Sequence, residues 1–255
     1  MRSRRLLWMC AGLALALYGC AGATRSNPFK IPQAEIKGKV KIVALAPINF
    51  PTDIDDPDPV KAKFESLITA KLKEGGFTVV PSSEYGALWK QMTEQLGGFF
   101  DPMTGKRDEQ KFKTVREHTL RELSAKTKAD AVLGSAILGF KAAFRLNRAS
   151  WHGTSEDLVP GGVLTAVLIG GHNGTVGALS LGVGLSDIHD VDLYMNYGGI
   201  QLLSKISRGN FSPVPRAELF ADEERNRKAV DIALDPLLGK AVPTEEADAA
   251  KEKSY

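Results

Sequence analysis

The chain has 255 residues, of which 43% are hydrophobic, 25% charged and 7% aromatic, with a formal net charge of +3. This is ordinary globular composition; with only two cysteines it excludes a disordered chain, a collagen-like repeat and a disulfide framework. The length suits one domain or two small ones.

The amino terminus reads as an address. Arg2, Arg4 and Arg5 form a basic n-region, and residues 6–17 are apolar and uncharged. The stretch ends in Leu17-Tyr18-Gly19-Cys20. An apolar residue three before a cysteine, with a small residue directly before it, resembles the lipobox of bacterial lipoproteins. In that family the thiol receives a diacylglycerol, the peptide is cut before the cysteine, and the new amino group is acylated. The resemblance implies a signal peptide over residues 1–19, a lipid anchor with palmitate-like chains on Cys20, and a bilayer as partner. An uncleaved anchor helix is the weaker alternative, because the apolar stretch falls short of the ~20 residues that span a bilayer. Ser3-Arg4-Arg5-Leu6-Leu7 partly resembles a twin-arginine export signal, although paired arginines also occur in ordinary n-regions.

Cleavage leaves 236 residues and removes three arginines, so the formal charge falls from +3 to zero. A neutral mature chain has no overall electrostatic reason to bind nucleic acid. Cys10 leaves with the peptide, and Cys20 carries lipid. No thiol then remains for a disulfide or a metal, and stability must come from the core.

Residues 20–38 carry small and polar residues with Pro28 and Pro32, and read as a flexible tether. A periplasmic α/β domain is expected over residues 39–238. It opens on residues 40–50 (VKIVALAPINF), a nearly continuous apolar run that suits a strand covered on both faces. An acidic loop with Asp53, Asp55, Asp56 and Asp58 follows. Asp58-Pro59 supplies an N-cap and an N1 proline for a helix whose face is Val60, Phe64, Leu67, Ile68 and Leu72, stopped by Gly75-Gly76. Residues 77–80 form a second strand, parallel to the first. A helix capped by Ser82 or Ser83 carries Tyr85, Leu88, Met92 and Leu96 on one face. Residues 101–105 are a turn, and Asp108 opens a third helix. Residues 131–146 read as a long strand, since Gly134 and Gly139 count against a helix.

Residues 158–186 contain no Lys, Arg, Asp or Glu and eight glycines. The turn cluster at residues 170–174 predicts a Gly-rich antiparallel hairpin between strands near 164–169 and 176–185. It is either packed inside the domain or at a subunit interface, or inserted in a membrane. Packing is favoured, because Gly182 and Gly184 weaken a lipid-facing strand. A turn at His189-Asp190 leads to a returning strand over 193–206. A final amphipathic helix spans 216–238, and residues 239–255 read as a disordered tail. The fold class is α/β, a mixed sheet packed by helices.

The opening strand, loop and capped helix, the Ala129-Asp130-Ala131 approach to a strand, and the stretch SLGVGLSDIHDVDLYMNYGGI (180–200) resemble a group of periplasmic α/β domains. The group includes the curli-secretion lipoprotein, lipoprotein activators of penicillin-binding proteins, and the amino-terminal domain of the Tol-Pal β-propeller protein. The resemblance covers residues 40–238. It implies an assembly or export factor without a catalytic set.

No catalytic, cofactor or metal site is assigned. His118, His152, His172 and His189 form no helical pair for zinc. His189 among Asp187, Asp190 and Asp192 could attract a hard cation, but Asp-rich hairpin turns are the commoner reason for such a cluster. The acidic 53–58 loop reads the same way. Ser150-Trp151-His152-Gly153 is the nearest approach to a nucleophile cluster, and reads better as a loop with one anchoring aromatic. The expectation is therefore a lipid-anchored envelope binding or assembly protein without enzymatic activity. Its protein partner cannot be read, and it could self-associate. A subunit of an outer-membrane export pore is the alternative, and an envelope hydrolase the least supported. Ala21 after the cysteine, in place of aspartate, resembles an outer-membrane sorting signal.

Overall fold

The computed structural model describes residues 27–51, 57–159, 173–207 and 210–240. In chain order these form α1 (Gln33–Lys39), β1 (Ile42–Leu45), α2 (Asp58–Glu74), β2 (Thr78–Val80), α3 (Ser82–Gln95) and α4 (Glu109–Thr127). Then come β3 (Ala131–Arg145), β4 (Arg148–Trp151), β5 (Thr154–Asp157), β6 (Gly174–Asp187) and β7 (Asp192–Leu202). A ribbon of β8 (Ser204–Ser207) and β9 (Asn210–Pro213) precedes α5 (Glu223–Leu238).

The protein is a mixed α/β structure with a seven-stranded sheet between helices. β1 lies parallel to β2 and β3, while β6 runs antiparallel between β3 and β7. The parallel half is made by helical crossovers, because parallel neighbours need a long connection. β1 is apolar at consecutive positions because both of its faces are covered. Val43 and Leu45 join the core under α1, α2 and α5; Ala44 packs with Tyr85, Leu88, Leu120 and Leu123 of α3 and α4. Asp130 fixes the start of β1, its Oδ2 accepting from the amides of Lys41 and Ile42 at 2.8 and 2.9 Å.

The helices begin and end as their sequences direct. Asp108 and Asp222 cap α4 and α5, each side chain accepting the amide of the residue three on. Gly76 and Gly239 take positive φ just past α2 and α5. α2 starts one residue earlier than expected, with Pro57 as cap and Asp58 inside the helix, paired with Lys61 at 2.9 Å.

Several expectations are corrected. The tether does not extend to residue 38. The Met195 amide donates to Pro28 O at 2.8 Å, the Lys30 amide to Leu193 O at 2.9 Å, and Ile36 of α1 is fully buried. The last helix starts at Glu223 rather than 216, where a single 3-10 turn and Phe220 at φ 62° intervene. The returning strand breaks after Leu202, because its continuation pairs with β9 in the ribbon. Residues 150–153, read as a loop, belong to the β4–β5 hairpin of residues 148–157. Gly239 and Lys240 still belong to the end of α5, with the Lys240 amide bonded to Asp235 O at 2.9 Å. The expected strand at 164–169 and the tail beyond 240 lie outside the described residues.

The uncharged run is buried over residues 178–183, while residues 173–175 are exposed. β6 pairs with β3 along its length and with β7 over residues 178–186, and Leu181 and Leu185 are fully buried in the main core. Residues 178–183 are thus packed inside the domain, the arrangement favoured for this run. β3 and β6 extend beyond the helices, and their far ends form a second core with Phe144, Ala149, Trp151, Leu158 and Leu202.

Candidate functional site

Cys20, the one residue to which the sequence assigns chemistry, lies outside the described residues. The structure instead fixes where the chain that follows it meets the domain. Residues 28–30 lie along the edge of β7, and the Phe29 ring packs 5.2 Å from that of Tyr194. Tyr194 is held from the other side, where its hydroxyl donates to Ala233 O in α5 at 2.5 Å. The first described residues are thus pinned to the body of the sheet.

Beside this point a trough crosses the sheet. Pairing register puts Gly134, Ala136 and Leu138 of β3, Gly184 and Gly182 of β6, and Met195 and Tyr197 of β7 on one face. Helices α3 and α4 cover that face only over β1 and the start of β3. At the other end the β4–β5 hairpin folds over it. There the Trp151 indole donates to Leu179 O at 3.1 Å, and the Thr154 hydroxyl to Gly199 O at 2.9 Å. The uncovered band between them is a cavity of about 300 Å³. Leu138 and Met195, at 36% and 42% exposure, stand at its rim.

Its floor has almost no side chains. An added Cβ on Gly134 or Gly184 would meet nothing nearer than 4.0 Å, and neither residue has positive φ. Glycine within a strand costs roughly 0.5–1 kcal/mol relative to alanine, and at these positions neither backbone geometry nor internal packing requires it. Gly182 differs, since Leu138 and Tyr197 close over it to within 3.1 Å of an added Cβ.

One end of the trough is polar. Arg116 on α4 pairs with Asp190 of the β6–β7 turn at 2.5 Å. Burial pulls the guanidinium down, and the hydrogen bond and charge of Asp190, with help from Tyr85 and Asp192, outweigh it, so its affinity for the proton is raised. Burial likewise pushes the neighbouring Tyr85 hydroxyl above its ordinary value. Both groups stay in their neutral-pH forms. They offer a fixed cation and a phenol donor but no proton-transfer base.

The acid cluster of residues 187–192 is a turn. Asp187 Oδ1 accepts the amides of His189 and Val191, each at 2.9 Å, while Asp190 serves Arg116 and Asp192 accepts from the Ser186 hydroxyl at 3.0 Å. No group of three potential metal ligands occurs among the described residues. Of the acidic loop, Asp53, Asp55 and Asp56 lie outside the described residues. His152 does meet a serine, though not Ser150: its Nδ1 lies 2.8 Å from Ser180 Oγ. Ser180 is fully buried, and the imidazole is packed between Phe140 and Tyr197 at centroid distances of 4.3 and 4.9 Å. A hydroxyl without solvent access cannot attack an external substrate, so the pair seals the trough's far wall. Trp151 next to it is a buried anchor, as its sequence setting indicates. The sequence carries one missed cue for this arrangement, the His152-Gly153 pair. Both residues take positive φ and make a tight hairpin turn.

No family model matches the chain, and no curated protein does. Several solved structures are distantly similar. The lipoprotein GNA1162 from Neisseria meningitidis is 15% identical over 63% of this chain and 81% of its own, with a TM-score of 0.31. The PelC dodecamer from Paraburkholderia phytofirmans is 11% identical over 84% of this chain and 95% of its own, with a TM-score of 0.35. The hypothetical protein CT253 from Chlamydia trachomatis is 13% identical over 84% of this chain and 96% of its own, with a TM-score of 0.33.

Proposed function

We propose that this is a lipid-anchored binding or assembly protein of a bacterial cell envelope, held at the outer membrane by acylated Cys20, without enzymatic activity. The observation that carries the reading is the position of Leu17-Tyr18-Gly19-Cys20 directly behind a basic n-region and an uncharged apolar stretch. Two features of the fold agree with it. The pinned part of the chain begins at Pro28, only a few residues past Cys20. No helix among the described residues is long and apolar enough to cross a membrane. A non-catalytic role accords with the burial of Ser180 and with Arg116 and Asp190 being committed to each other. Ala21 supports the outer-membrane destination. The export-pore alternative gains no support from β6, because its residues 178–183 are buried within the domain on both faces.

Stable anchoring takes more than one acyl chain, and the Cys20 thiol is the site to which the whole lipid assembly would be built. Replacing Cys20 by Ala should therefore abolish labelling by radioactive palmitate and release the protein from membranes while the domain stays folded. Fractionation of cells expressing the variant checks this. Retention in salt-washed membranes would sink the reading.

A further inference from the structure

We propose that the trough over β3, β6 and β7 holds one of the acyl chains carried by Cys20; this rests on the lipoprotein reading above. The argument starts from where the chain enters. Pro28 is bonded to Met195, and Met195 lines the trough. The seven residue-to-residue steps from Cys20 to Asn27 reach at most about 25 Å when extended. Three strands at their usual spacing place the far side of the floor only about 10 Å from β7. The lipid is therefore tethered at the mouth of the trough and reaches all of it.

The surface suits methylene groups. β6 gives its backbone hydrogen bonds to β3 on one side and β7 on the other. Its face at Gly184 thus offers Cα–H groups and no unpaired polar atom of the ladder. Leu120, Val132, Leu138 and Met195 complete the walls. At the polar end the charge of Arg116 is paired with Asp190, while its buried Nε has no hydrogen-bond partner, so the methylenes are confined to the apolar part of the trough. Gly134 and Gly184, which the fold itself does not require, leave the width that a chain lying on the sheet needs. A volume near 300 Å³ is at the small end of ligand cavities, which fits part of one acyl chain and not a folded partner element.

The test uses the full chain in its own membrane. Cells are fed palmitate carrying a diazirine near its end, irradiated, and the purified protein is digested and analysed by mass spectrometry. The expected result is label on Cys20 with cross-links closing within one chain onto the peptides that hold Leu138 and Met195. Gly184→Leu fills the trough from β6 and Gly134→Val from β3. In each variant the cross-link yield should fall about tenfold or more, because the added side chain takes the space the methylenes need. Trypsin resistance shows that both variants remain folded, and two strands are sampled so that failure of one variant does not decide the matter. Label on Cys20 with cross-links only to lipids or other proteins would overturn the proposal and leave the lipoprotein reading standing. Cross-links joining two copies would overturn it in favour of self-association across the trough. Unaltered yield in both filled variants would place the chain elsewhere on the surface. Absence of any label on Cys20 would overturn the lipoprotein reading and the proposal together.

Discussion

Gly198 shows what a glycine in this sheet is for when the fold does require it. It lies on β7 beneath α5, and a Cβ there would come within 1.9 Å of Ala229 O. The helix can approach this closely only over a strand position without a side chain. Gly198→Ala should push α5 off the sheet at a cost of about 1–3 kcal/mol, lowering Tm by roughly 3–10 °C. Gly184→Ala, with open space around it, should be neutral or slightly stabilising, and thermal unfolding of the pair separates the two cases. Equal losses in both would mean that β7 and β6 respond to backbone entropy and not to the helix contact. The sequence shows both glycines but not the difference between them, because the difference is made by a helix that follows later in the chain. A second residue-scale case joins α2 to α5. Lys71, 10% exposed, lies 2.5 Å from Asp231 and 2.6 Å from Asp235. Burial depresses the ammonium, and the two carboxylates outweigh it, so its folded-state value is raised above the ordinary 10.5. A raised lysine stabilises the fold fully below its unfolded value and loses that contribution as pH rises through the folded one. Wild-type stability should thus fall above about pH 10.5, and Lys71→Met should lack that component while being less stable by about 3 kcal/mol at neutral pH. Urea unfolding at pH 7 to 11 measures both, and parallel pH profiles for the two proteins would exclude the linkage.

At the scale of elements, β6 is the most demanding. It is paired on both edges, and Leu181 is wholly enclosed. Leu181→Asp would place an uncompensated charge in the main core, which is strongly unfavourable. The variant should be degraded or recovered only as unfolded protein, as circular dichroism and limited proteolysis would reveal. A well-folded, protease-resistant variant would mean that Leu181 is not enclosed. The elements legible in sequence are those whose signals are local. β1 announces itself by continuous apolarity, α2 by Pro59 and Gly76, and α4 by the Asp108 cap. α1 was not legible: it is seven residues long with one buried side chain, and its support is distant. Gln33 Nε2 donates to Pro236 O at 2.6 Å and Lys37 Nζ to Leu238 O at 3.0 Å, so α1 terminates α5 from the opposite end of the chain. The β4–β5 hairpin was hidden because its turn uses His152 where asparagine or aspartate would have been the recognisable residue. The trough was invisible for a related reason. Its residues come from five elements, and what defines it is the extent of cover by α4 and by a hairpin that the sequence did not disclose.

For the whole molecule, the lower boundary of the domain is the testable point. Residues 28–38 seal the edge of β7 and contribute Phe29 and Ile36 to the main core. A lipid-free chain beginning at Thr24 retains them and should elute as a folded species without detergent. A chain beginning at Val40 exposes the Leu193 and Tyr194 edge and empties the position of Ile36. Loss of one such side chain typically costs about 2–5 kcal/mol, so this shorter chain should aggregate or melt well below the longer one on a sizing column and by calorimetry. Indistinguishable behaviour would restore a tether reaching residue 38.

The closure of Phe29 on Tyr194 also orders events in time. Contacts between residues far apart in sequence form late, since a long loop must close before they contribute. Here the earliest segment of the domain to be synthesised docks on one of the last strands, and α1 waits for the carboxy end of α5. During threading through a membrane channel, the leading end would emerge with its acceptor strand still on the far side. The domain would then complete itself only when translocation is nearly finished, with the nascent chain held open meanwhile for chaperones. A chain exported already folded would carry this closure across intact, and the kinetics with which residues 28–36 become protected from exchange would tell the two routes apart.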